Sequence, residues 1–404
     1  DINNYEEFKN AIPLRDYEKF KIYIDRMIEG ESNIIWPGKP VYFCKTSGTT
    51  SGIKFIPIFK NAIKTHINSA RDSILNYIAK TGDISFIRGK QIFIQGSPVL
   101  KKKKGIKIGR LSGIVAHHTP FYLRSSRMPS MEANCIADWE EKINAIVDET
   151  ISQNMTLVSG IPPWVQMYFE KIIEKKGEKI GNVFKNFSLF IYGGVSFKPY
   201  KKIFDELIGR EVNSIEVYPA SEGFFAFQDV LDDDALLLIL NNDIYYEFIK
   251  TDDLLKGKEE YISLAEVKVG ENYALIISTS SGLWRYNIGD TVQFTELDPY
   301  RIIVTGRVKH FISAFGEHVI SKEVETTIRE ASSELKLKVR EFTVAPQVNP
   351  AKGLPFHEWF IEFDEINDNL DEIENIMDKI MQRQNIYYKD LIQGKILSPL
   401  RITK

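Results

Sequence analysis

Cysteine is scarce: Cys44 and Cys135 are the only two in 404 residues. Two cysteines exclude a disulfide framework and fit a reducing compartment, so a cytoplasmic location is expected. No Cys/His cluster has metal-ligand spacing, which argues against structural zinc. No apolar run approaches the roughly 20 residues that span a bilayer. The opening Asp1–Asn10 is acidic and polar and does not read as a secretory signal. No membrane partner is therefore expected. A charge excess is missing too: 52 basic against 55 acidic residues leave a net charge of −3. Such a chain has no global field to draw it onto nucleic acid. The one basic run, Lys101–Lys104, has no interleaved aromatics and reads as a solvated loop tip. Internal repeats and low-complexity stretches are absent, which excludes solenoids and linker-like segments.

What is present is an ordinary globular balance, 43% hydrophobic and 26% charged. The length exceeds one ordinary core and implies two or three domains. Tyr5–Gly30 has helical spacing broken by Pro13. Val41–Cys44 and Phe55–Ile58 read as strands around a polar loop, and Lys60–Ala79 as a helix. Strands at Gln91–Gln95, Phe187–Tyr192 and Ser214–Val217 then alternate with helices at Asp138–Val147, Val165–Glu174 and Pro199–Ile208. That alternation predicts an α/β fold with covered sheets. From Phe225 to Phe294 the chain is strand-rich. After about residue 308 comes a compact α+β pattern: helices at Ser321–Glu334 and Leu370–Gln382, strands at Val339–Ala345 and Trp359–Phe363. The expected division is 1–308 for a large N-terminal domain and 309–404 for a small C-terminal one.

Five stretches carry chemistry. Thr46-Ser47-Gly48-Thr49-Thr50-Ser51-Gly52, with Lys54 behind it, offers five hydroxyls and two glycines to an anion. It lacks the Gly-Lys-Ser/Thr ending of a Walker A loop, and a plain polar turn has the same composition. Tyr218-Pro219-Ala220-Ser221-Glu222-Gly223 puts a carboxylate into an aromatic neighbourhood, where a magnesium ion on phosphates would partner it. Tyr218 has a flat face for a base; a β-turn with a solvated Glu222 is the plainer alternative. Leu283–Asp290 ends on a carboxylate that could take ribose hydroxyls, or that pairs with Arg285 on the surface. Gly306-Arg307-Val308-Lys309, with Gly316 beyond, suits a hinge. Tyr192-Gly193-Gly194-Val195 would allow backbone to approach a planar ring.

Read together, Thr46–Pro57 (TSGTTSGIKFIP), Tyr218–Gly223 (YPASEG), Trp284–Val292 (WRYNIGDTV) and Gly306–Val319 (GRVKHFISAFGEHV) resemble the auxin-responsive acyl acid amido synthetase family in a bacterial-type form. That family belongs to the acyl-adenylate-forming superfamily, which includes firefly luciferase. The resemblance implies a large adenylate-forming domain of mixed β-sheets with flanking helices, and a small, mobile α+β C-terminal domain. It implies an ATP-dependent ligase that joins an acyl acid to an amino acid through an acyl-adenylate, with Mg2+. Carried over, Thr46, Ser47, Gly48, Thr49 and Thr50 would meet the phosphates. Gly194, Val195, Tyr218, Ala220 and Ser221 would surround the nucleotide. Glu222 would hold the metal, Asp290 the ribose, and Arg307 would assist catalysis with Glu222. Expected partners are a small carboxylic acid and an amino acid. Alternatives are another acceptor, such as coenzyme A, or a nucleotide-binding relative with impaired catalysis. Relatives of the family carry a lysine-containing C-terminal stretch that Lys395–Lys404 does not match, so the small domain is expected to be incomplete. Pro219 departs from the family's usual small residue.

Several residues invite roles with less to support them. Pro120-Phe121-Tyr122-Leu123 with Arg124 and Arg127 could line an acyl pocket, with Ile161-Pro162-Pro163-Trp164 as a further wall. His117–His118 on a strand would face opposite sides and could not share an ion. Cys44 reads as core.

Overall fold

The computed structural model describes residues 2–403 apart from 50–51, 121–122, 199, 256, 259, 308–310, 313, 318, 338 and 364–369. Its frame is a twelve-stranded sheet with two unlike halves. In one half Arg127–Met128, Lys90–Ile94, Met155–Gly160, Leu189–Gly193 and Asn213–Ala220 run parallel. Their sequences are near-continuous apolar runs because both faces are covered. Tyr77 and Phe86 pack on one face against Leu189 and Ile191, and Phe169, Ile172 and Phe204 pack on the other against Val158 and Phe190. The helices that supply this cover have clear ends. Trp139–Thr150 starts at Asp138, whose carboxylate accepts from Glu141 N–H. Pro162–Lys176 opens on proline and stops at the left-handed Gly177.

At Asn213–Ala220 the direction reverses. Beyond it Gly223–Phe227, Leu236–Leu238, Tyr300–Arg307, Tyr286–Leu297, Asn272–Thr279, Ile244–Lys250 and Tyr261–Ser263 pair antiparallel. The N-terminal helices Tyr5–Ala11 and Tyr17–Ile28 dock on this half, with Phe20 against Tyr286. Arg285 is 1% exposed and holds this dock together. Its Nε reaches Glu247 at 2.9 Å, and it donates to the carbonyls of Lys9 and Ile12. The Arg285–Asp290 surface pair considered from sequence is therefore not formed. Arg285 is core, and its backbone has a positive φ of 46°.

A four-stranded sheet lies beside the large one: Gly52–Ile58, Tyr42–Thr49, Ile106–Gly109 and Lys101–Lys103. The polar stretch after Cys44 was expected as a loop. Its main chain instead continues the strand to Thr49, which pairs with Gly52 across the tip. Lys101–Lys103 form an exposed edge strand, with Lys103 paired to Glu29, and only Lys104 sits at the turn that follows.

The C-terminal part is α+β, as expected. Val339–Gln347, Phe356–Phe363 and Arg401–Thr403 form a sheet under the helices Ser321–Leu335 and Leu370–Gln384. Residue 308, the expected boundary, lies outside the described residues. Among the described residues no helix is long and apolar enough to cross a membrane.

Candidate active site

A cleft of about 910 Å³ opens where the sheet changes direction. That is the usual position for ligand sites in α/β sheets, beyond the carboxyl ends of parallel strands. Thr46, Gly194, Val195, Tyr218, Ala220, Ser221, Glu222, Asp290 and Arg307 all line it, although they come from five separate stretches. Of Ser47, Gly48 and Thr49 only the main chain is described, and Thr50 lies outside the described residues altogether.

Strand pairing explains the convergence. Asp290 and Arg307 are direct cross-strand partners in the ladder of Tyr286–Leu297 and Tyr300–Arg307. Arg307 Nε lies 2.5 Å from Asp290 Oδ1. From the other half, the Tyr218 hydroxyl donates to Asp290 Oδ2 at 2.6 Å. Tyr218-Pro219-Ala220 belongs to the end of its strand rather than to a loop after it. Gly193 pairs with Val217 so closely that an added Cβ would sit 2.2 Å from the Val217 carbonyl. Gly194 follows with φ +87°, which turns the chain into the cleft. Gly194 and Val195 are thereby set beside Tyr218.

Charge is concentrated at this end. Burial raises the Glu222 carboxyl above its ordinary range, against the pull of Lys54 and Arg307. Lys54 is pushed down by burial and partly restored by Glu222. Glu222 does sit on the turn between Asn213–Ala220 and Gly223–Phe227, but it is half-buried and faces cations instead of being merely solvated. Cys44 is fully buried, its thiol pushed up to about 12 by desolvation, and it donates to Ser221 Oγ at 3.1 Å. His66 also lines the cleft, neutral because burial takes it down to about 4.

The sequence reading missed the wall contributed by the C-terminal part. Phe315, Gly316, Tyr387 and Leu391 line the cleft. Tyr387 donates to the Lys45 carbonyl at 2.5 Å and lies under Arg110, whose guanidinium carbon is 4.2 Å from the ring centroid. Arg110 also bridges to Asp390 at 2.8 Å. No local signal marks these partners, which are hundreds of residues apart. Arg124 and Arg127 do not line the cleft. Arg127 donates to the Ala116 carbonyl, Arg124 is exposed, and Phe121 and Tyr122 lie outside the described residues. Ile161 and Trp164 do form a wall; Pro162 and Pro163 are buried elsewhere. His117 and His118 follow a short helix, not a strand. They turn to Pro98 O and Tyr42 Oη respectively.

Three GH3 family models match the chain: the N-terminal domain over residues 1–135, the central domain over 237–307 and the C-terminal domain over 322–404. The chain belongs to the GH3 family. Among GH3 proteins, the jasmonoyl–L-amino acid synthetase JAR4 of Nicotiana attenuata is 23% identical over 446 residues, covering 92% of this chain and 76% of that one. The solved AtGH3.15 acyl acid amido synthetase in complex with 2,4-DB matches with a TM-score of 0.64 at 15% identity, over 99% of this chain and 81% of its own. A Vibrio cholerae adenylation domain, AlmE, in complex with glycyl-adenosine-5'-phosphate, matches with a TM-score of 0.50 at 13% identity, over 90% of this chain and 63% of its own. These likenesses place the fold of this GH3 chain among adenylate-forming enzymes.

Proposed function

We propose that this GH3 protein is an ATP-dependent acyl acid–amino acid ligase that works through an acyl-adenylate. The observation that carries the reading is the single cleft that gathers Thr46, Gly194, Tyr218, Glu222, Asp290 and Arg307. Relatives named jasmonoyl–L-amino acid synthetase and indole-3-acetic acid-amido synthetase support the reading. This protein is an amide-forming ligase of the same kind.

In the first step a carboxylate oxygen of the acid attacks the α-phosphorus of ATP, and the bond to pyrophosphate breaks. In the second the amine attacks the acyl carbon, the C–N bond forms, AMP leaves and the amine gives up its proton. The protein's task in both is positioning and charge stabilisation. Thr46 and the hydroxyls of Ser47, Thr49 and Thr50 would meet the phosphates, the Gly48 backbone would approach them, and Lys54 would add charge. Tyr218, with Gly194 and Val195, would flank the adenine, and Ala220 and Ser221 the path to the α-phosphate. Asp290 would take the ribose hydroxyls. Its oxygens already accept from Arg307 and from Tyr218, which hold the carboxylate in place at the cleft. Arg307 would meet the charge that develops on the phosphate.

Among the described residues no group of three His, Cys, Asp or Glu side chains could cage a metal. Mg2+ does not need one, because it is commonly held by one or two carboxylates with substrate phosphates completing its shell. Glu222 fits that role, and the ion would neutralise phosphate charge. Residues 309–404 would be the mobile part. Its seat is mixed: Arg110–Asp390 and Tyr387 to Lys45 O are polar contacts, while Phe315, Leu391 and Ile396 share one apolar core with Trp139 and Trp164, so separation would also expose apolar surface.

The test is pyrophosphate release from Mg·ATP over a panel of aryl and aliphatic acids, with amine and thiol acceptors side by side. Acid-dependent release with amino-acid-dependent AMP and amide is the expected result. Thioester in place of amide would replace the acceptor. ATP binding without release across the panel would remove the ligase reading.

A further inference from the structure

Lys90–Ile94 lies three strands from the strand of Tyr218, about 14 Å at normal strand spacing. There the cleft is walled by Phe93, Ile94, Val115, Ile161 and Trp164. Gln95 stands among these apolar side chains. It lines the cleft and is 2% exposed, and neither its amide oxygen nor its amide nitrogen has a hydrogen-bond partner among the described residues. The indole N–H of Trp164, itself 5% exposed, is unpartnered as well. The backbone here is pinned. Lys142 Nζ donates to the carbonyls of Gln95 and Asn134, each at 2.8 Å. Buried amides are paired in folded proteins because leaving them bare is costly. The unpaired atoms themselves are closed off from solvent, so Gln95 marks the sealed end of the cleft, where an entering group would have to displace apolar side chains to satisfy it.

We propose that Gln95 and Trp164 read an oxygen-bearing tail on the acyl acid. A hydroxyl or carboxamide at the end away from the reacting carboxylate supplies the acceptor that both N–H groups lack and the hydrogen that Gln95 Oε1 lacks. The proposal rests on the ligase reading and narrows its substrate from carboxylic acids at large to acids with a polar tail. A hydrocarbon tail would seal the Gln95 amide into a dry pocket, which is how a site built for hydrogen bonds rejects an analogue without them.

Matched acids of equal length, ending in CH3, CH2OH or CONH2, would be compared by acid-dependent pyrophosphate release. The parent should prefer the polar member of a pair by roughly 10- to 100-fold in kcat/KM. Gln95→Met, close in size and apolar, should erase or invert that ratio. A merely structural role for Gln95 would lower both members alike and leave the ratio unchanged. Thermal-shift binding of the same acids with AMP in place of ATP gives the ratio without turnover. Trp164→Phe, which removes the N–H, carries the test if Gln95→Met does not fold. Equal kcat/KM within pairs in the parent, or a polar preference that survives both substitutions, overturns the proposal and leaves the ligase reading standing. No release with any acid removes the ligase reading, and the proposal falls with it.

Discussion

The two halves of the large sheet do different work. The parallel half is apolar on both faces and delivers backbone to the cleft: Gly193, Gly194 and the ends of Met155–Gly160 and Lys90–Ile94. The antiparallel half delivers charge, through Asp290 and Arg307 locked opposite each other. The strand Asn213–Ala220 belongs to both, and Tyr218 on it hydrogen-bonds across to Asp290. The site is made by the reversal of strand direction. Parallel strands all end on one side, and a ladder beyond them presents ionic pairs sideways to those ends. Charged residues of the antiparallel half thus fall into two kinds. Some face the cleft, and some, like Arg285 and Glu247, are buried away from it.

The strongest way to break that division is in the second kind. Arg285→Met leaves Glu247 buried without its cation, and both side chains are 1% exposed. Such a loss costs about 3–5 kcal/mol. The thermal midpoint should fall sharply, while the folded fraction keeps the parent's ATP affinity. Adding Glu247→Leu should recover much of the stability. In the first kind, Asp290→Ala should leave the fold intact and weaken ATP binding by roughly 2–4 kcal/mol, on the order of 30- to 1,000-fold, as charged hydrogen bonds are lost. Titration calorimetry reads this directly, and an unchanged affinity would sink the ribose assignment. If Arg285→Met also abolished binding in folded protein, the division itself would be wrong.

How far this was legible in the sequence follows from the range of each interaction. Glu222 and Asp290 stand inside contiguous motifs, and the apolar runs at Leu189–Gly193 and Asn272–Thr279 show their strands without help from tertiary structure. The C-terminal α+β pattern was equally plain from its periodicity. What local pattern cannot hold is a partner chosen across the fold. Asp290 could have paired with Arg285, five residues away, but the ladder register gave it Arg307. The hydroxyl-rich stretch after Cys44 looked like a loop because Ser, Thr and Gly favour turns. Pairing with Gly52–Ile58 made most of it strand. Arg124 and Arg127, the arginines beside the candidate acyl stretch in sequence, stay off the cleft, whereas Arg110 reaches it, held by Tyr387 and Asp390.

A smaller effect is expected at Glu222. Glu222→Gln keeps the volume and removes the charge, so turnover at limiting magnesium should drop about tenfold, near 1.4 kcal/mol. Saturating magnesium should restore part of the loss. A variant with the parent's magnesium dependence would take Glu222 out of the metal site.

The smallest expected effect lies on the shared strand itself. Glu216 lines the cleft two residues before Tyr218, and its carboxyl is raised to about 7, first by burial and then by Asp234, with Lys198 opposing. Its ordinary value is near 4.5. Below pH 4.5 the group is protonated folded or unfolded and costs nothing. As pH climbs towards 7 the unfolded chain ionises freely while the folded one resists, so stability is lost across that window and stays lost above it. Glu216→Gln removes the penalty. At pH 8 the variant should be more stable than the parent by at most about 1 kcal/mol, because solvent screening at this partly exposed side chain discounts the shift. At pH 4 the two should match. Urea midpoints at pH 4, 6 and 8 measure this, and a variant that tracks the parent throughout would mean that Glu216 is solvated and that this strand, unlike its neighbours, carries charge at no cost.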